Sequence, residues 1–145
     1  MSRQIKNIIA ITLFLICIGL INVAGQNIEI EIRGMNAFTF ILIIAVLLQV
    51  IFFIPSFLLK TEKYYDLVGS LTYVTTVSLA YFAVENKTMI DSIIYFYVMV
   101  WALRLGIYLF RRVRNDGKDV RFEKAKRHFF WFLQYWMGQA LWVSL

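Results

Sequence analysis

Asp66, Ser70 and Tyr73 are spaced by four and three residues, so on a helix a carboxylate, a hydroxyl and a phenol share one face with Val77. A phenol beside a carboxylate can donate a hydrogen bond to a carbonyl oxygen and polarise it. The same stretch has a structural reading, in which Ser70, Thr72, Thr75, Thr76 and Ser78 are small residues that let helices approach closely. A second set is Trp101, Arg104, Tyr108 and Arg111, again at intervals of three or four. Arg104 and Arg111 would lie roughly 10 Å apart along a helix axis, and two cations at that spacing, rimmed by aromatic rings, can hold an extended anion. An arginine inside an apolar span is expected to face a partner, a polar cavity or a ligand, because exposing it to lipid is costly. Asp66 is the expected partner of Arg104 or Arg111. For Arg111, Arg112 and Arg114 the alternative is a topology signal beside a span.

The elements that must position these residues follow from composition. Of 145 residues, 61% are apolar, well above the 45–50% typical of soluble domains. Four stretches, residues 5–24, 36–59, 65–84 and 89–110, match the ~20 residues needed to cross hydrocarbon, and a fifth opens at residue 129. The fold class is therefore all-α, a polytopic transmembrane helical bundle in one domain, with four full spans and a truncated fifth at 129–145. That last segment gives roughly 25 Å of helix against ~30 Å of hydrocarbon and ends without a polar flank, so it reads as interrupted. Arg3, Lys6, Lys60, Lys63 and the basic run in 111–128 fall on one side of the bilayer, and Arg33 and Lys87 on the other. The N-terminus and the 111–128 loop are accordingly expected to be cytoplasmic, and a bacterial inner membrane is the expected location. The net charge of +6 sits beside spans, where anionic headgroups account for it without nucleic acid.

Within this frame, Gln26–Met35 alternates apolar and charged residues, a period of two that predicts a short strand or extended connector. Pro55 is expected to kink the second span, which also places Gln49 and Ser56 on one face. Asn115-Asp116-Gly117 is a turn signal. Phe122, Ala125, Phe129 and Phe132 recur at helical intervals amid Lys and Arg, which predicts a helix lying in the membrane interface. One cysteine, Cys17, and one histidine, His128, give no disulfide framework and no His/Cys metal cluster. The glycines form neither a dinucleotide fingerprint nor a phosphate loop.

Three motifs carry a resemblance. Residues 65–73 read Y-D-L-V-G-S-L-T-Y, residues 104–112 read R-L-G-I-Y-L-F-R-R, and residues 117–122 read G-K-D-V-R-F. Together they resemble an uncharacterised family of multi-span membrane proteins similar to steroid 5-alpha reductases and, more distantly, to isoprenylcysteine carboxyl methyltransferases. The similarity runs from about residue 52 to 145. It implies a helical membrane reductase fold that binds NADPH from the cytoplasmic side and reduces a carbon–carbon double bond conjugated to a ketone in a hydrophobic, steroid-like lipid. By that likeness Arg104, Arg111, Arg112, Asp119 and Arg121 belong to the cofactor-binding set, and Tyr73 and Asp66 are the catalytic candidates at the substrate carbonyl. Family members continue through further helices that hold much of the nucleotide site, so the chain is expected to be the N-terminal half of such a protein. Two rivals stay open: a non-catalytic membrane assembly or lipid-binding protein whose basic loop grips anionic headgroups, and a membrane methyltransferase using S-adenosylmethionine.

Overall fold

The structure is a computed structural model that describes residues 2–116 and 119–145. Five helices account for most of it: α1 (Arg3–Ala24), α2 (Ala37–Leu58), α3 (Tyr65–Ala83), α4 (Met89–Asp116) and α5 (Phe129–Ser144). Three of them, α1, α2 and α4, are long and apolar enough to cross a membrane. The chain is a helical membrane protein. α2 lies between α3 and α5, α1 packs along α5, and α4 packs chiefly against α3.

Each boundary has a local cause. α1 ends at Gly25, where a Cβ would stand 2.0 Å from the Phe38 ring, so only glycine lets the first turn of α2 close over it. The alternating stretch shrinks to two residues per strand, β1 (Glu31–Ile32) and β2 (Met35–Asn36), paired antiparallel. Arg33 and Gly34 between them have φ of 54° and 76°, the left-handed pair that a two-residue hairpin turn demands. Asn36 then caps α2, its side-chain oxygen accepting from the N–H groups of Phe38 and Thr39 at 3.0 and 3.2 Å. At the far end of α2 the N–H of Lys60 donates to the Phe57 carbonyl and that of Thr61 to the Ser56 carbonyl. This is a Schellman ending with left-handed Lys60, φ 50°, in the usual glycine position. α4 opens on a reciprocal cap, Thr88 N–H to the Asp91 carboxylate at 2.8 Å and Asp91 N–H to Thr88 Oγ1 at 3.2 Å.

Two sequence expectations are corrected here. α4 runs to Asp116 rather than ending at 110, so Arg111, Arg112 and Arg114 are helical and not loop residues; of the expected turn at Asn115-Asp116-Gly117, Gly117 lies outside the described residues. Phe122, Ala125 and Phe132 do not lie in an interfacial helix. They are buried, Ala125 in a short 3-10 turn (Ala125–Arg127), and Phe122 and Phe132 join Phe53, Val68, Trp136 and Met137 in the core. Their periodicity recorded burial against the bundle rather than partition into a membrane surface.

The α3–α4 contact depends on small residues. Ser70 Oγ donates to the Ala102 carbonyl at 2.6 Å, and a Cβ on Gly106 would sit 2.4 Å from Ser70 Oγ and 2.5 Å from its Cβ. Gln49 Nε2 on α2 donates to Thr72 Oγ1 on α3 at 2.9 Å, both side chains fully buried. Gly106→Ala should therefore force α3 and α4 apart at a cost of about 1–3 kcal/mol, seen as a lower midpoint of thermal unfolding in detergent. Gly19→Ala, with nothing within 4 Å, should leave the midpoint unchanged or raise it.

Candidate functional site

Between α3, α4 and α5, with Phe14 of α1 at its back, lies a groove of about 560 Å³. The predicted α3 face is here: Asp66, Ser70 and Tyr73 all line it, joined by Gly69. Trp101, Leu105 and Leu109 form the α4 wall, and Tyr135, Gln139 and Trp142 belong to the α5 wall. Aromatic rings dominate the lining. Tyr73 meets Trp101 edge to face at 5.2 Å between centroids, and Tyr65 sits against Trp136 at 5.3 Å and Phe122 at 4.7 Å.

Both tyrosine hydroxyls are engaged. Tyr65 donates to the Tyr135 carbonyl at 2.9 Å and Tyr73 to the Trp142 carbonyl at 3.1 Å. Trp142 lies in the last turn of α5, where carbonyls lack intrahelical donors, so Tyr73 satisfies one of them. Gln139 is the polar group that sequence reading missed, because it sits in a segment otherwise read as apolar. Its Nε2 donates to the Tyr65 carbonyl at 3.3 Å, while its buried Oε1 has no partner among the described residues. Gly69 makes the room, since a Cβ there would stand 1.7 Å from Gln139 Nε2.

At one end the groove meets a cluster of charge. The expected pairing of Asp66 with Arg104 or Arg111 is not made; its cations are Arg121 at 3.4 Å and Arg112 at 3.9 Å. Asp119 binds Arg121 through both oxygens, with Nε at 3.0 and 2.9 Å, and lies 3.7 Å from Arg112. Glu62, also missed in sequence, is buried behind them. Its Oε1 accepts the Asp119 N–H at 3.1 Å and its Oε2 meets Lys126 Nζ at 2.6 Å. Of the predicted set, Asp66, Tyr73 and Arg121 thus line the groove, and Arg112 and Asp119 join Asp66 and Arg121 in the ion cluster at its end.

Arg104 and Arg111 do not join them. Arg104 was expected to face a partner, a polar cavity or a ligand; it lies exposed on the adjoining outer face of α4, in an open groove shared with Tyr108, Arg111 and Arg112. Among the described residues neither Arg104 nor Arg111 has a carboxylate partner. The helix rotates Trp101 away from them into the deeper groove, so the face predicted as one is divided between two cavities.

The Arg121 hydrogen bonds hold the Asp119 carboxyl below its ordinary range, against the opposing effect of burial. A folded-state value below the unfolded one means the clamp contributes fully above the unfolded carboxylate value near ~3.9 and is lost as pH falls through the lowered one. Asp119→Asn should therefore lower the unfolding midpoint by a similar amount at every pH from 8 to 5, and the difference from the unaltered protein should shrink as pH falls below about 3.9 and through the lowered value. Midpoints measured across that series check it.

No curated protein and no solved structure matches the chain. Residues 52–145, from the last third of α2 through α5, match DUF1295, described as a protein of unknown function. That stretch contains Glu62, the α3 face, both arginine sets and nearly all of the groove, and by it the chain belongs to the DUF1295 family.

Proposed function

We propose that the chain forms the substrate-facing part of an NADPH-dependent membrane reductase acting on a double bond conjugated to the carbonyl of an apolar lipid, with the end that carries the charge cluster towards the cytoplasm. The observation that carries this reading is the groove itself. Its volume of about 560 Å³ falls within the 300–1,000 Å³ typical of small-molecule sites, its walls are aromatic and aliphatic, and its few polar groups converge from α3 and α5. An apolar ring system suits the walls, and a carbonyl oxygen suits the donors.

Tyr73 is the donor of choice. Its present acceptor is a helix-terminal carbonyl at 3.1 Å, a neutral bond that a substrate oxygen gaining negative charge would outcompete. Asp66, held by Arg112 and Arg121, orients the polar end of the groove. Asp119 has its acceptors committed to Arg121, so its part is to position that guanidinium rather than to touch a cofactor.

For NADPH the reading relies on the cations that remain. Arg112 and Arg121 are matched by Asp66 and Asp119, which leaves little net charge at the mouth for phosphate. Arg104 and Arg111, unmatched among the described residues, would hold phosphates as charge-assisted pairs on the neighbouring face of α4. Held by these residues, NADPH would supply the hydride.

The test is titration of NADPH, followed by its fluorescence, against the detergent-extracted protein. Arg104→Ala combined with Arg111→Ala should weaken binding at least tenfold; unchanged affinity, or no binding by the unaltered protein, removes the reductase reading in favour of a non-catalytic lipid-binding or assembly protein. With an enone lipid as substrate, Tyr73→Phe should lower kcat by about 10- to 1,000-fold with NADPH affinity intact.

A further inference from the structure

A separate pocket of about 540 Å³ opens where α1 and α5 begin. The two helices run parallel: Arg3 lies over the Trp131 ring at 4.5 Å, and farther along Phe14 packs beside Gly138. Both N-terminal ends therefore meet at one place. First-turn N–H groups lack intrahelical acceptors and carry partial positive charge, and neither helix has an acidic residue there to answer it. α5 has no side-chain cap at all.

Onto these ends the sequence adds cations. Arg3 and Arg127 both line the pocket, no acidic side chain does, and neither arginine is paired with a carboxylate among the described residues. The floor supplies the independent sign of a ligand. Asn7 lines the pocket with only 8% of its surface exposed, and its amide makes no hydrogen bond among the described residues. The little of Asn7 that is exposed includes its amide, which is therefore open to a polar group that enters the pocket.

The surroundings select the kind of anion. Phe129 and Phe130 stand exposed at the rim, and Trp131, a residue type enriched at headgroup level, lines the pocket beneath Arg3. From Gln4 at the pocket's edge, Ile8 and Leu15 follow as exposed apolar side chains along the same flank of α1. A cationic floor that opens onto a hydrocarbon track fits an amphiphile and not a free ion. We propose that this pocket binds the phosphate headgroup of an anionic phospholipid, with Arg3 and Arg127 on the phosphate, the Asn7 amide on a headgroup or ester oxygen, and the acyl chains along α1.

The detergent-extracted protein is titrated with dioleoylphosphatidylglycerol, dioleoylphosphatidylcholine or inorganic phosphate, reading lipid adducts by native mass spectrometry and the unfolding midpoint in parallel. Phosphatidylglycerol should bind saturably and raise the midpoint, with phosphatidylcholine and inorganic phosphate at least tenfold weaker. Arg3→Gln with Arg127→Gln should weaken phosphatidylglycerol at least tenfold. Lys60→Gln with Lys63→Gln removes the same charge from the loop between α2 and α3 and should leave binding intact. Asn7→Leu, which keeps side-chain size, should weaken binding without lowering the lipid-free midpoint, and it carries the test if the arginine pair does not fold. Equal loss in the lysine pair would reduce the effect to overall charge and overturn the proposal. Equal binding of phosphatidylcholine or of free phosphate would overturn it as well.

Discussion

Two buried carboxylates, Glu62 and Asp119, hold the polypeptide between α4 and α5 against the bundle, and the site depends on that attachment. Neither can be left alone. A carboxylate taken out of water and then deprived of its partner costs about 3–5 kcal/mol, even where the intact pair contributes little beyond what an apolar substitute would. Glu62 is matched by Lys126 and by the Asp119 N–H, and Asp119 by Arg121 and Arg112, so each carboxylate fixes a different point of the returning chain. Between those points Phe122 is driven into the core with 1% of its surface exposed, against Tyr65 and Tyr135. The charges set the register, and the ring supplies the burial.

From this follows the placement of α5. With Phe122 and Ala125 buried, the 3-10 turn delivers Phe129 to the α2 rings, where it meets Phe53 and Phe57 edge to face at 5.2 Å each. α5 then descends beside α3 in the position that brings Gln139 to the Tyr65 carbonyl and the Trp142 carbonyl to Tyr73. The groove is thus assembled from α3, whose polar face the local sequence dictates, and α5, whose position is dictated by an ion cluster some turns away.

That division explains what could be read without coordinates. The helices were legible because apolar length is a property of contiguous sequence, and so was the Asp66–Ser70–Tyr73 face, because helical periodicity is local. The partner of Asp66 was not: Arg104, Arg111, Arg112 and Arg121 carry the same charge, and choosing among them requires knowing that α4 turns Arg104 outward while the chain returns to bring Arg121 in. Glu62 stood in a short charged turn and looked like any membrane-edge residue, although it is 4% exposed. Gln139 was hidden by its neighbours, since one amide scarcely alters the hydropathy of F-F-W-F-L-Q-Y-W-M-G-Q-A-L-W-V-S-L. Phe122 and Ala125 gave a true periodicity with the wrong environment, because helix-period spacing reports one-sidedness and not what lies on that side.

Arg104 is the residue for which this chain provides least. It sits a full seven residues before Arg111 on an apolar helix, exposed, with aromatic and aliphatic neighbours and no carboxylate partner among the described residues. An unmatched arginine at the centre of a span costs about 2.5–3.5 kcal/mol on insertion scales, reduced towards an interface as the side chain reaches for water. Arg112, about two turns of helix beyond, avoids that cost through Asp66 and Asp119. A guanidinium kept unmatched beside Tyr108 and Arg111 is consistent with an anion that arrives from outside the chain, and the outer face of α4 is where that anion would have to bind.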